Sequence, residues 1–307
     1  MQDGVLIIDK PAGMSSAQVV GKVKKSFQAR KVGHAGTLDP FATGVLVCLM
    51  NRATRLAQFL LRGKKQYQAV LHLGVVTDTQ DPTGRVVDSR PVPDFSEEDL
   101  QQVFRQYAGT VEQIPPAYSA LKHQGVALYK LARRGQAIQK PARSVHIERM
   151  KIVAVALPEV HFTVTCSAGT YVRTLCADIG QTLGCGGHLR ALRRTMSSGF
   201  GIDEAISLEA LNRCIADPQL PVPLISPGAA LRDMPTLRAD RTVAAKIKTG
   251  GKLDVKDFTD LPHDATVMKN GEQGTCYKVI DGDTQLIAVV SVDRHVVVPG
   301  LDSLLGV

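Results

Sequence analysis

A chain of 307 residues, 44% hydrophobic and 21% charged, can bury a substantial core, and its length exceeds one modest domain and suits two. Its longest apolar runs, 44–50 and 286–292, fall far short of the ~18 residues a membrane span needs, and residues 6–8, followed at once by Asp9 and Lys10, are too short for a signal peptide's apolar stretch. Membrane and secreted classes are thereby set aside and a cytoplasmic protein is expected, while a net charge of +8 favours a polyanionic partner without naming it.

In chain order, residues 4–9 read as a short buried strand stopped by Lys10-Pro-Ala-Gly13. Ser15 with Gln18 forms a capping box, and Val19, Val20, Val23 and Phe27 follow at helical spacing. A Gly- and Thr-rich loop over 33–44 leads into the apolar strand VLVCLM. Asn51 is positioned to cap a helix burying Leu56, Phe59 and Leu60. Residues 66–75 alternate as a strand does. Ser96 caps a helix with three acids in its first turn, where the helix dipole favours them, and Leu100, Val103, Phe104 and Tyr107 form its apolar face. Residues 160–166 make a strand and 171–183 a helix ended by Gly184. Four prolines between 218 and 227 change the texture. Beyond them, Asn270-Gly271 and Asp281-Gly282 signal hairpin turns in a small β-rich tail. Strands and helices alternate without a βαβ rhythm, which predicts an α+β fold with a largely antiparallel mixed central sheet and flanking helices.

Six cysteines are scattered without a CxxC pair, so reduced thiols are expected. Cys176, Cys185 and His188 lack the second ligand pair of a structural zinc site, and no metal is expected. The basic residues cluster in three places. Lys22, Lys24, Lys25, Arg30 and Lys31 form the first group. The second runs over 122–151 (Lys122, Lys130, Arg133, Arg134, Lys140, Arg143, Arg149, Lys151) against the single Glu148, and Arg190, Arg193 and Arg194 form the third. Any one of these is ordinarily a solvated face, but three together fit a surface that tracks phosphates.

The segment Gly33-His-Ala-Gly-Thr-Leu-Asp39-Pro-Phe-Ala-Thr-Gly-Val-Leu46 carries the chemistry. Its glycines permit tight backbone and Pro40 stiffens the residue after Asp39, so an acid is held at the mouth of a strand. A lone Asp-Pro is ordinarily a turn, but this segment is much longer. It resembles the catalytic motif of the TruB pseudouridine synthases, GHxGTLDPxATGxL, at every fixed position. The resemblance extends over nearly the whole chain. Residues 4–16 are similar to the family's opening motif, with Ser15 where Thr is usual. Lys65-Gln-Tyr67 and Thr77-Asp-Thr-Gln-Asp81-Pro-Thr-Gly84 match its KxY block. Ile114-Pro-Pro-Ala-Tyr-Ser-Ala-Leu-Lys122 matches the approach to an RNA-gripping insertion, and Cys166-Ser-Ala-Gly-Thr-Tyr-Val-Arg173 matches a third active-site motif. Ser198 stands where many members have Gly.

The resemblance implies a cofactor-free isomerisation of uridine to pseudouridine at position 55 in the T loop of tRNA. The C1′–N1 bond of the nucleotide breaks and the base rejoins through C5. Such chemistry requires the nucleotide to leave its stack, at a cost of a few kcal/mol. By this resemblance Asp39 is the catalytic carboxylate, and nucleophilic and general-base routes both fit it. Tyr67 stacks on the flipped base and Arg173 pairs with Asp39, which would lower its pKa and keep it ionised. Tyr171 and Leu192 flank the uracil, though a helical leucine is ordinarily core. His34 props the RNA loop open. Lys10, with Pro11, supports the floor of the substrate site. Arg133, Arg134 and Arg143 of the insertion, about 122–151, grip phosphates of the T arm. The implied organisation is a catalytic domain over 1–230 and a PUA-like RNA-binding domain over 231–307, acting as a monomer without a protein partner. A guide-RNA-directed, dyskerin-like enzyme shares the motifs but is usually longer. A non-catalytic RNA-binding or tRNA-folding protein is disfavoured by the intact Asp39, Tyr67 and Arg173. Gly184-Cys-Gly186-Gly187 is a poor dinucleotide loop because it follows a helix and lacks a third glycine.

Overall fold

The computed structural model describes residues 2–251, 253–258, 260 and 276–291; the Asn270-Gly271 turn lies outside them. The catalytic-motif half begins with β1 (Gly4–Lys10), α1 (Ser16–Ser26), β2 (Val32–His34) and β3 (Thr43–Met50). It continues through α2 (Ala57–Leu60), β4 (Lys65–Leu73), β5 (Val75–Thr77), β6 (Val86–Ser89), α3 (Glu97–Gln106) and β7 (Gly109–Gln113). A short hairpin, β8 (Lys122–His123) and β9 (Val126–Ala127), and α4 (Leu128–Ala132) precede the long pair β10 (Arg143–Ala156) and β11 (Glu159–Cys166). Then come α5 (Val172–Thr182), β12 (Gly187–Ser197), β13 (Phe200–Gly201), α6 (Leu208–Ala216) and α7 (Pro227–Ala230). The described tail holds β14 (Thr236–Arg238), α8 (Arg241–Lys248), β15 (Cys276–Ile280) and β16 (Leu286–Ser291).

The central sheet runs β1-β3-β12-β4-β11-β10-β7, with β2 added beside β3 and β13 beside β12. Its ladders are antiparallel except for one: β12 meets β3 in parallel at Arg193–Thr43 and Arg194–Gly44. The expected mixed, largely antiparallel sheet with flanking helices is therefore what the chain builds. Alternation on β4 and β11 sends Tyr67, Ala69, Leu71, Val160, Phe162 and Val164 into a core closed by α3 and α5. Around β1 and β3 both faces are buried, one under α1 and α6 and the other under Leu56, Leu60 and residues of the tail. The tail's three-stranded sheet encloses a separate small core of Leu237, Val243, Ile247, Tyr277, Val279 and Ala288.

The Ser15–Gln18 capping box and the Ser96 cap form as read, the latter completed by an unforeseen reciprocal bond from Asp99, and Asp281-Gly282 turns β15 into β16. Asn51 departs from expectation. At φ +51° it is the first residue of a 3-10 helix, not the cap of an α-helix, and no side-chain cap bond forms there. Its Oδ1 instead accepts from the Arg30 and Lys31 amides while Nδ2 donates to the Gln2 carbonyl, tying three segments together. Leu192 lies on β12, not on a helix. The basic stretch 122–151 divides in two: up to 142 it is the hairpin, α4 and irregular chain, but from Arg143 onward it is the long strand β10 of the central sheet. Ser198 occupies φ +56°, the left-handed region that favours glycine, and its hydroxyl donates to the Leu60 carbonyl.

Candidate active site

The loop between β2 and β3 is held carbonyl by carbonyl. Arg194 donates to Gly36 O and Thr37 O at 3.1 and 3.3 Å. The Ser16 hydroxyl donates to Leu38 O and accepts from Leu38 N, at 3.0 and 2.8 Å. Asp39 O receives the Ala42 amide, and Pro40 O receives the Gly13 amide and the Lys10 ammonium. Every backbone acceptor from 36 to 40 is thus paired, which fixes the Asp39 side chain without using it. Gly44, at φ +99°, is required where β3 crosses Arg194: a Cβ there would come within 2.2 Å of the Arg194 carbonyl.

Arg173, on the first turn of α5, is only 4% exposed and spans the site. Its Nε lies 2.9 Å from Asp39 Oδ2, and Nη1 lies 3.4 Å from Asp81 Oδ2. Nη1 also donates to Thr79 O and Nη2 to Tyr118 O, at 3.0 and 2.8 Å. Asp81 is itself locked by Thr79 Oγ1 and by the amide and hydroxyl of Thr83. Sequence reasoning placed Asp81 within a motif but gave it no role. Only the folded chain brings it to Arg173, across 92 residues of sequence. The arginine is therefore oriented by a second carboxylate and two carbonyls, which leaves Nε beside Asp39.

These groups border a cavity of about 320 Å³ lined by Asp39, Tyr67, Ser119, Arg143, Tyr171, Arg173, Leu192 and Arg194, among others. That volume lies at the small end of the about 300–1,000 Å³ usual for ligand pockets. The Asp39 side chain keeps 33% of its surface exposed, so a ligand can reach it. Tyr67 and Tyr171 supply aromatic walls, and Gln113 clamps both the amide and the carbonyl of Tyr171 at 2.7 and 3.0 Å.

Burial in the cavity raises the Asp39 carboxyl above the ordinary carboxylate range, and Arg173 opposes that shift without cancelling it. Desolvation by burial is the larger effect and the Asp81 charge adds to it, so although Arg173 lowers the pKa as expected, the net shift is upward. Tyr67 is raised by burial, with Arg194 donating to its hydroxyl and opposing the rise. Lys10 is fully buried and lowered to about 8 by desolvation, with Asp39 partly offsetting it. Its ammonium spends all three hydrogens on the carbonyls of Pro11, Met14 and Pro40.

Of the residues singled out from sequence, Asp39, Tyr67, Tyr171, Arg173, Leu192 and Arg143 meet at the cavity. Lys10 stands behind the loop and holds it from below. His34 pairs with Cys48 on the β2–β3 ladder, outside the cavity wall, and burial lowers its pKa. Arg133 and Arg134 are exposed beyond α4, Arg133 lying over the Tyr129 ring at 5.7 Å. The third basic cluster does not form a phosphate-tracking surface. Arg194 is 1% exposed and anchors the loop, Arg193 pairs with Asp9 at 2.8 Å, and Arg190 alone of the three is well exposed. Alternation along a strand sends neighbours to opposite faces, which is why a run of arginines need not share one surface. Cys185, His188 and Cys176 do not converge. His188 Nδ1 lies 2.8 Å from the Val75 carbonyl, Cys185 bonds its neighbour's carbonyl, and Cys176 is core.

Two family models match this architecture in succession: the N-terminal domain of TruB family pseudouridylate synthases over residues 24–172, and the C-terminal domain of tRNA pseudouridylate synthase B over 173–231. A tRNA pseudouridine synthase B of Syntrophotalea carbinolica is 48% identical over 235 residues, 76% of each chain. The chain belongs to the TruB family of pseudouridylate synthases. Another family member, from Burkholderia mallei, is 39% identical over 297 residues, 97% of this chain and 95% of its own. Among solved structures, the TruB-family fold here is similar to a Cbf5–Nop10–Gar1 complex chain, with TM-score 0.73 and 27% identity over 94% of this chain and 78% of that one. A chain of an H/ACA RNP bound to a substrate RNA containing 2′-deoxyuridine gives TM-score 0.71 and 26% identity, covering 94% and 77%. Among the described residues, no helix is long and apolar enough to cross a membrane.

Proposed function

We propose that this chain isomerises uridine to pseudouridine at position 55 in the T loop of tRNA, with the nucleotide flipped into the cavity around Asp39. The observation that carries the reading is the Asp39–Arg173 pair, 2.9 Å apart at the wall of the cavity. The reaction moves no electrons to an acceptor: C1′–N1 breaks, C1′–C5 forms, and the C5 proton leaves to solvent while N1 gains one. A half-buried carboxylate held beside a guanidinium can carry charge through those steps, and Tyr67 and Tyr171 can stack on the flipped ring. Lys10, Ser16 and Arg194 act through the loop, whereas His34 serves the RNA outside the cavity. Arg133 and Arg134 contact phosphates of the T arm.

The catalytic unit spans 1–230 and residues 231–307 form a PUA-like RNA-binding unit. The separate core of the tail supports that division. The enzyme works in the cytoplasm, as a monomer, without metal, cofactor or protein partner. Relatives named as tRNA pseudouridine synthase B at 39–48% identity, against 26–27% for the chains solved in H/ACA assemblies, favour the stand-alone type over the guide-directed one. The test is incubation of the protein alone, in EDTA, with unmodified tRNA transcript and pseudouridine mapping at nucleotide resolution. Conversion of the T-loop uridine is expected. Conversion only after a guide RNA or second protein is added would move the chain to the guide-directed type.

A further inference from the structure

The cations of the cavity wall are unequally committed. Arg173 is divided among Asp39, Asp81 and the Thr79 and Tyr118 carbonyls. Arg194 serves Gly36 O, Thr37 O and Val45 O. Lys65 gives two of its three hydrogens to Leu61 O and Gly63 O. Arg143 differs. Its guanidinium lies 4.8 Å over the Tyr171 ring and Nη2 donates to the Gly169 carbonyl, but Nε is buried with no partner among the described residues. In the same wall the Ser119 hydroxyl, on a residue 4% exposed, is also unpartnered among them.

Two buried donors without acceptors are costly to leave so. Their position shows when the cost would be recovered. Ser119 and Arg143 bracket the basic insertion. Ser119 O accepts from the Tyr129 amide on α4, and Arg143 begins β10. Both residues already line the cavity, one at each base of the insertion. A flipped nucleotide brings a mixed donor and acceptor edge on the uracil, and an anionic phosphodiester that only accepts. A planar guanidinium matches that phosphodiester best, and Arg143 is the guanidinium of this wall whose buried donor faces neither a carboxylate nor a carbonyl.

We propose that Arg143, assisted by the Ser119 hydroxyl, binds the phosphodiester attached to the flipped nucleotide. The inference rests on the cavity being the uridine site. The test uses T-arm hairpins carrying a single neutral methylphosphonate on the 5′ or the 3′ side of the target uridine, compared between the full-length protein and Arg143→Ala under single-turnover conditions. The wild type should lose roughly tenfold or more in kcat/KM at one of the two positions. Arg143→Ala should lose about as much on the unsubstituted hairpin and nothing further at that position, and Ser119→Ala should show a smaller version of the same coupling. Should Arg143→Ala not fold, as judged by thermal unfolding, Arg143→Lys is read instead. It keeps charge without the planar fork, so its sensitivity should fall below wild type at that position alone. Losses that multiply at both positions would show that Arg143 touches neither phosphate and only holds Tyr171, overturning the proposal. Absence of wild-type activity on the unsubstituted hairpin would instead refute the assignment of the uridine site.

Discussion

Replacing Arg194 with Met separates two readings of the same arginine, one as an RNA-facing cation and one as the internal anchor of the Asp39 loop. The side chain is 1% exposed and donates to Val45 O at 2.7 Å, Gly36 O at 3.1 Å and Thr37 O at 3.3 Å. Methionine fills most of the volume but donates nothing, so three buried carbonyls go without their donor. Each charge-assisted bond is worth about 1.5–3 kcal/mol. The desolvation of the cation is released at the same time, which brings the net cost nearer the ~3–5 kcal/mol typical of breaking a buried charged network. At about 2–4 °C per kcal/mol for a domain of this size, the melting temperature should fall by roughly 6–20 °C. Below that temperature, turnover should drop because Gly36 and Thr37 immediately precede Leu38 and Asp39 in the loop. The salt dependence of tRNA binding should be unchanged, since a buried arginine neutralises no phosphate. Thermal and urea unfolding, single-turnover pseudouridylation and a salt titration of tRNA affinity together check this. A melting temperature within a degree or two of wild type, with a flatter salt slope, would refute the anchor and restore the RNA-facing role.

Asp39→Asn keeps the shape and removes the charge; turnover should vanish while tRNA binding persists, and appreciable residual turnover would remove Asp39 from the chemistry. Because burial raises the Asp39 carboxyl above the ordinary carboxylate range, a reaction needing the ionised form should gain rate as pH rises through that raised pKa. The acid limb of the single-turnover rate should accordingly lie above that of a free carboxylate, and a limb at or below the free-carboxylate value would show that Arg173 outweighs desolvation. Neutralising Lys130, Arg133 and Arg134, all exposed on or beside α4, should flatten the log–log salt slope of tRNA binding by about one unit for each phosphate that is no longer neutralised. Melting should barely change, because solvated charges contribute little to stability, and parallel salt slopes would reduce these residues to a solvated face.

Local features of this protein were legible in its sequence because their causes are local. The Ser15–Gln18 capping box, the Ser96 cap, the alternation along β4 and β11, the Gly184 stop and the Asp281-Gly282 turn each follow from residues within a few positions of one another. So does the framing of Asp39 by glycines and Pro40, and the long motif around it carried the family resemblance. What sequence spacing could not supply was the meaning of each charge. Arg193 and Arg194 are adjacent, yet the strand turns one toward Asp9 and buries the other beneath the catalytic loop. Arg143 read as one of the phosphate-gripping arginines of the insertion, but it starts a central strand and lies against Tyr171. Asp81 was an unassigned motif residue until the packing of α5 set Arg173 between it and Asp39. The net direction of the Asp39 shift also needed the cavity, because desolvation depends on everything that surrounds a carboxylate and a sequence names only its neighbours along the chain.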